Sequence, residues 1–232
     1  MSFKPDTAMI MAAGLGLRMR PLTLTTPKPL IKVAGKALID YGFDKLNAAN
    51  VRRIVVNKHY LPDQIEAWAK ARHVITSDES DEVLETGGGI TRALPLLGER
   101  PFYVLNSDCF WTENGVPALQ RLADTWDDSK MDCLLLLCDP KQTTGFGGGT
   151  DFVIAPDGKL MRQKENGFIY IGAYIVHPRL FVDAPKGKFS MNVLWSKAIE
   201  AGRLFGLAHN GHWYDVGTPA GIPAAEARMA QG

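Results

Sequence analysis

The sequence has few cysteines, almost no net charge and no long apolar run, and each shortage removes a class of function. Its three cysteines, Cys109, Cys133 and Cys138, form an odd set with no Cys-x-x-Cys spacing. They are expected to be buried thiols of a reducing compartment, with neither a disulfide frame nor a zinc knuckle. The 26 Lys and Arg against 25 Asp and Glu leave a formal net charge of +1. Nucleic-acid binding neutralises many phosphates at once, so no nucleic-acid partner is expected and any anion site must be local. No apolar stretch approaches the ~18 residues of a membrane span. The run Ala8 to Leu17 follows Lys4 like a secretory signal core, but Arg18 and Arg20 come at once and no small-x-small cleavage site intervenes. A cytoplasmic protein with no membrane partner is the expectation. His209 and His212 sit three apart in "HNGHW", with no further His or Cys pattern beside them to complete a metal site.

What the chain does have is order. Strand-like and helix-like segments alternate through the first half. "AMIMAA", "RRIVVNK", "HVIT" and "PFYVLNS" read as buried strands. "ALIDYGFDKLNAAN", "PDQIEAWAKA" (opened by Pro62) and "TGGGITRALPLL" have helical spacing. Repeated strand, helix, strand implies a mainly parallel sheet covered on both faces. The second half brings an apolar strand, "DCLLLLC", then "TTGFGGGTD", then shorter strands around "FVIAPDGKLMRQ" and "GFIYIGAYIV", with Asp157-Gly158 as a hairpin turn. A helix is predicted from about Ser190 to Ala201, with Ser190 as N-cap. "RLFGLAH" and "GHWYDV" read as a closing strand pair. Thr218-Pro219 reads as the N-cap and first-turn proline of a last helix. With no repeat, low-complexity tract or linker, residues 1–232 are expected to form one domain. Its sheet would carry a smaller β-rich insertion on the far side.

The stretch "MAAGLGLRMRPLTLTTPKPL", Met11 to Leu30, sets two glycines and three cations directly behind the first strand. A dinucleotide fingerprint would need a third glycine where Met19 stands, and a P-loop pattern occurs nowhere. An ordinary tight turn is the plain alternative. Against it, Pro21, Pro27 and Pro29 keep the chain out of helix and in extended or turn geometry. Such a loop can wrap a ligand, and Lys28, held between two prolines, loses less freedom on binding than a lysine on a flexible loop.

These residues carry a resemblance. "GLGLRMRPLTLTTPKPL" is similar to the signature of the sugar-1-phosphate nucleotidyltransferases, G-x-G-x-R-[ML]-x-P-x-T-x-x-x-P-K-P-L. Three later stretches agree in order. "LETGGGI" resembles the family's base-binding turn, "VLNSDCF" its metal-binding aspartate loop, and "WYDVGTP" its second aspartate before a final helix. Among the branches, the triple glycine Gly87 to Gly89, the compact length and "FGGGTDF" most resemble the N-acetylmuramate-1-phosphate uridylyltransferases. Similar chains also include mannose-1-phosphate guanylyltransferases.

The resemblance implies an α/β, Rossmann-like fold with a mostly parallel mixed sheet flanked by helices. Nucleotide binding would fall in residues of about 1–110 and sugar binding in about 111–232. It implies attack by a sugar 1-phosphate on the α-phosphorus of a nucleoside triphosphate, UTP in the branch it most resembles, with Mg²⁺ as cofactor. By the same resemblance Arg18 would hold the leaving end of the triphosphate, and Lys28 would bridge the α-phosphate and the sugar phosphate. Ala12, Ala13, Gly14, Gly16, Glu85, Gly87, Gly88 and Asn106 would line the nucleotide. Gly149, Asp151, Lys164 and Gly172 would line the sugar, and Asp108 and Asp215 would hold the metal. Asp108 also follows an apolar run at a strand's carboxyl end, where open α/β sheets place ligands, although an aspartate there is often a simple turn or cap. Arg20 is open between a phosphate contact and a salt bridge.

One stretch departs from the pattern. Larger relatives carry Val-Glu-Lys-Pro where this chain reads "RQKEN", so Lys164 and Glu165 can equally be hairpin surface charges. An N-acetylmuramate lactyl carboxylate would want a cation, and Arg162 or Lys164 stands in position. A monomer or small homo-oligomer is expected. A nucleotide-sugar sensor without turnover and a dinucleotide-binding oxidoreductase are the readings from other classes.

Overall fold

A computed structural model describes residues 3–231. The chain opens with β1 (Thr7–Met11), a long loop, and a short pair β2 (Lys32–Val33) and β3 (Lys36–Ala37). Then come α1 (Leu38–Ala48), β4 (Arg53–Lys58), α2 (Pro62–Lys70), β5 (Ile75–Asp78), α3 (Glu85–Leu97), β6 (Phe102–Asn106) and β7 (Cys109–Trp111). Next are α4 (Ala118–Thr125), β8 (Cys133–Cys138), β9 (Thr143–Thr144), β10 (Phe152–Ile154), β11 (Leu160–Arg162) and β12 (Ile169–Val176). The last elements are α5 (Met191–Glu200), β13 (Leu204–Ala208), β14 (Trp213–Asp215) and α6 (Gly221–Met229).

A seven-stranded sheet in the order β13-β8-β12-β6-β1-β4-β5 forms the centre. All neighbours pair parallel except β12, which runs antiparallel to both β8 and β6. The expected α/β, Rossmann-like arrangement is therefore present. Its inner strands β1, β6, β8 and β12 are largely apolar and buried because both faces are covered. In β8, Leu134, Leu136 and Cys138 point into the core beneath α1, α2 and α4, while Cys133, Leu135 and Leu137 face α3 and α5. Side chains alternate across a strand, so one apolar run fills two cores. All three cysteines are buried free thiols, as their spacing implied.

Beside the main sheet, β14 pairs antiparallel with β7 and parallel with β9. The β10–β11 hairpin turns at Asp157-Gly158, where Gly158 adopts φ +85°, and lies along the β13 edge through Gly206 N–H donating to Gly158 O at 3.0 Å. This is the smaller β-rich part.

Three expectations need correction. The two late strands do not pair with each other: β13 joins the main sheet beside β8, and β14 joins β7 and β9. Alternating apolar residues mark a strand but carry no label for a partner far away in sequence. The last helix begins at Gly221 after Ala220, and Thr218 and Pro219 instead form the turn before it, accepting from Gly221 and Ile222 N–H. The short helix α4 was not foreseen. Its eight residues follow a proline, and its buried Leu119 and Leu122 are too few to establish a period.

Candidate active site

The carboxyl ends of β1, β4, β5 and β6 open on a cleft of about 200 Å³. Open parallel sheets place ligands at this edge. Its wall is built from the residues that end those strands, including Ala12, Asn57, Glu79, Asn106 and Asp108. The glycine turn forms one side, with Ala13 and Gly14 lining the cleft. Beyond it Gly16 adopts φ +62°, and an added Cβ would lie 2.9 Å from Thr23 Cγ2 and 3.1 Å from Lys28 Cβ. Glycine is therefore needed there both for its backbone angle and for close approach. Three 3₁₀ turns carry the loop onward, and it is tied down at both ends. Thr23 Oγ1 donates to Gly16 O, Tyr60 OH donates to Thr23 O, and Gln64 Nε2 donates to Thr25 O, each at 2.8 Å. Met19, where a dinucleotide fold has its third glycine, is fully buried with Ile31, Val33, Phe110, Tyr214 and Val216. The loop is thus anchored by an apolar side chain, and its proline-rich second half swings Lys28 back over the cleft.

Lys28 is 8% exposed, and its Nζ lies 2.8 Å from Asp108 Oδ2. Asp215 arrives from more than a hundred residues away because β14 sets it opposite Cys109 in register. Val216 N–H donates to Asp108 O at 3.3 Å, so the two aspartate backbones are adjacent. Burial first, and then the charge of Asp108, push the Asp215 carboxyl above its ordinary range, while Lys28 and Arg18 pull against that shift. Arg18 and Asp215 meet over Gly217, where an added Cβ would stand 3.2 Å from Arg18 Nη1 and 3.3 Å from Asp215 Oδ1. The four charged residues singled out in the sequence therefore converge. Arg18 and Arg20 are both exposed and neither makes an ion pair among the described residues, and nothing places Arg20 beside the two aspartates.

The other end of the cleft is set by the start of α3. Glu85 and Thr86 line it, and Glu85 adopts φ +59°, unusual for a residue with a Cβ. The N–H groups of Gly87 and Gly88 both donate to Phe189 O, at 2.9 and 3.1 Å, and Met191 N–H donates to Thr86 Oγ1 at 3.0 Å. A Cβ on Gly87 would lie 2.3 Å from the Phe189 ring, and one on Gly88 would lie 2.3 Å from Gly187 O. These glycines let the segment before α5 pack against the cleft wall, with their own N–H groups already engaged.

Asn57 and Glu79 line the cleft and carried no motif. Asn57 Oδ1 accepts from Ala12 N–H at 2.6 Å, and Asn57 Nδ2 donates to Glu79 Oε1 at 2.8 Å. Both side chains are 1% exposed, and burial pushes the Glu79 carboxyl up. The signal for both was position: a polar residue at the carboxyl end of a parallel strand.

Among the residues expected to line the sugar, Asp151 is fastened inward, its Oδ2 accepting from Tyr170 N–H at 2.9 Å. A Cβ on Gly172 would lie 2.6 Å from Cys109 Sγ, which sets that glycine directly behind the Asp108 loop. Arg162 covers the Phe152 ring and donates to Asn192 at 2.8 Å. Lys164 is exposed beside Gly149, whose added Cβ would stand 2.9 Å from Lys164 O. His209 Nε2 donates to Thr112 O at 3.0 Å, and the His212 ring meets Thr144 Oγ1 at 2.8 Å.

Residues 7–232 match the family model for nucleotidyl transferases. The chain belongs to that family. Among its relatives, the N-acetylmuramate α-1-phosphate uridylyltransferase of Caulobacter vibrioides is 44% identical, covering all of both chains. The enzyme of that name from Neisseria meningitidis serogroup B is 36% identical over 95% of this chain and 96% of its own. A solved UDP-glucose pyrophosphorylase complexed with UDP-glucose superposes with a TM-score of 0.78, at 18% identity, over 99% of this chain and 100% of that one. At that identity the likeness is one of fold.

For a nucleotidyl transferase, the carboxylate pair fits a hard divalent cation. The charge of Asp108 lies close enough to add to the burial that raises the proton affinity of Asp215. No group of three or more potential ligand side chains occurs among the described residues. Two carboxylates leave the rest of a shell to phosphate oxygens and water, the arrangement Mg²⁺ prefers. No helix of the described residues is long and apolar enough to cross a membrane.

Proposed function

We propose that this nucleotidyl transferase moves a uridylyl group from UTP to N-acetylmuramate 1-phosphate, in an Mg²⁺-dependent reaction. The observation that carries the reaction type is the ion pair of Lys28 and Asp108 in the cleft wall, with Asp215 and Arg18 converging beside it. The choice of substrates is supported by relatives named for that reaction and alike over the whole chain.

An oxygen of the sugar phosphate attacks the α-phosphorus. A new P–O bond forms there while the bond to the bridging oxygen breaks, and pyrophosphate leaves with the electron pair. Two anions must meet, so holding them in line against repulsion is the main task, worth ~7–11 kcal/mol when geometry is ideal. Lys28 suits the meeting point because its backbone is held between Pro27 and Pro29 and its ammonium already faces an anionic oxygen. Arg18 stands beyond it to hold the departing pyrophosphate. Asp108 and Asp215 would hold Mg²⁺, which when bound supplies positive charge to phosphate oxygens. Ala13 and Gly14 hold the nucleotide by backbone approach, and Glu85 and Thr86 flank the base.

The test is pyrophosphate release from UTP, GTP, CTP and dTTP, each paired with N-acetylmuramate, mannose, glucose and N-acetylglucosamine 1-phosphates, with and without chelator. UTP with N-acetylmuramate 1-phosphate is expected to dominate and to fall silent when Mg²⁺ is removed. Dominance of GTP with mannose 1-phosphate would replace the substrate assignment. Silence from a folded protein that still binds nucleotide would replace the enzyme reading with a sensor.

A further inference from the structure

Lys28 and Asp108 both line the cleft, and they are bound to each other. Lys28 Nζ donates to Asp108 Oδ2 at 2.8 Å, and neither residue makes another ion pair among the described residues. The lysine stem is fixed at its base. Pro27 and Pro29 flank it, Ile31 N–H donates to Lys28 O at 3.1 Å, and a Cβ on Gly16 would stand 3.1 Å from Lys28 Cβ. With the Lys28 side chain 10% exposed, its ammonium has little water to turn to, and leaving the carboxylate is costly unless another anion receives it. The Asp108 side chain is 39% exposed and so open to a ligand. Yet the oxygen that Lys28 holds belongs to a carboxylate that the proposed function gives to a divalent cation. An ammonium and a divalent cation on one carboxylate repel each other, most of all where water is scarce. Lys28 also cancels one of the two carboxylate charges, and charge count sets how well an oxygen site holds a hard cation. A triphosphate changes both conditions, because it offers the ammonium a second anion.

We infer that Lys28 guards Asp108, so that the cleft takes a divalent cation only together with a nucleoside triphosphate. Phosphate oxygens draw the ammonium away, Asp108 is released, and both carboxylates then face the metal–triphosphate complex. A divalent cation arriving alone is turned away, which keeps the cleft from filling with metal before substrate. The two ligands are thereby coupled, and the coupling is reciprocal: each strengthens the other by the same factor. A carboxylate pair already open to metal, with Lys28 as a structural prop, would bind the cation alone equally well. The inference rests on the metal-binding part of the proposed function and adds the order in which its ligands enter.

The experiment is titration of the protein with Mn²⁺ alone, without nucleotide, followed by electron paramagnetic resonance, which counts the free ion. The wild type is expected to bind Mn²⁺ weakly, with Kd of about 1 mM or above. Lys28→Met and Lys28→Gln, which keep the stem and remove the charge, are expected to bind it about 10- to 100-fold more tightly. Adding Asp108→Asn to either variant should abolish that gain. Two Lys28 variants are made, each checked by its melting temperature, so a folding defect in one leaves the comparison standing. Equal Mn²⁺ affinity in the wild type and both variants would overturn the assignment. So would tightening that survives the added Asp108→Asn, since the ion would then sit elsewhere. The guard and the reaction fail separately. A protein with the expected Mn²⁺ ranking that releases no pyrophosphate would lose the proposed reaction and keep this role for Lys28. Equal affinities beside Mg²⁺-dependent pyrophosphate release would do the reverse.

Discussion

Lys28 and Asp108 neutralise one another across 2.8 Å, so each is positioned before any ligand arrives. Lys28→Met keeps the bulk of the stem and removes the charge. Pyrophosphate release is expected to fall about 10²- to 10³-fold in kcat, as for loss of one preformed group in other transfer sites, with the far-UV spectrum unchanged. A fall confined to KM would show that Lys28 binds substrate without stabilising the transition state. His209 gives a prediction of a different kind. It is 4% exposed, its Nδ1 has no hydrogen-bond partner among the described residues, and burial pulls its pKa down to about 4 from the ordinary 6.5. The folded state therefore prefers the neutral ring and binds fewer protons than the unfolded chain between those values. Its contribution is intact above pH 6.5 and is lost as the pH falls toward 4, at a cost of about 3 kcal/mol. His209→Gln keeps a donor for Thr112 O, and its melting temperature should fall less steeply than the wild type's across that window; parallel profiles would refute the assignment.

At the scale of elements, the first turn of α3 is where packing leaves least room. Gly88→Ala would force a Cβ to 2.3 Å from the Gly187 carbonyl, a backbone atom that cannot rotate away. Loss of about 1–3 kcal/mol of stability is expected from denaturant melts. Gly14→Ala meets nothing within 4 Å, so its melting curve should match the wild type while its nucleotide KM rises; an unchanged KM would remove Gly14 from the site. The elements also show what could be read beforehand. Helix α5 lies within the expected span, capped by Ser190 Oγ accepting from Asn192 N–H, because a cap is a local signal. The partners of β13 and β14 were misread because pairing is decided by burial across the whole chain. The motif residues Arg18, Lys28, Asp108 and Asp215 were legible as an ordered signature. Asn57 and Glu79 were not, since an isolated polar residue at a strand end acquires meaning only when neighbouring strands bring others beside it.

In the whole molecule, the signature loop is held by residues from opposite ends of the chain: Met19, Ile31 and Val33 pack with Phe110, Tyr214, Val216 and Ala225. A chain stopped after Gly211 would retain every strand of the seven-stranded sheet and lose that lid of apolar contacts. Trypsin is expected to cut it faster after Arg18 than it cuts the full chain, the Arg20 bond being protected by Pro21; equal cleavage rates would show that the loop holds itself. The strand order has a further consequence for synthesis. Strands β1, β4, β5 and β6 form one contiguous parallel block completed by residue 106, so this block can assemble while the rest of the chain is still on the ribosome. Asp215, which enters only with β14, comes at least a hundred residues later, so a nascent chain acquires the walls of its cleft well before its second carboxylate.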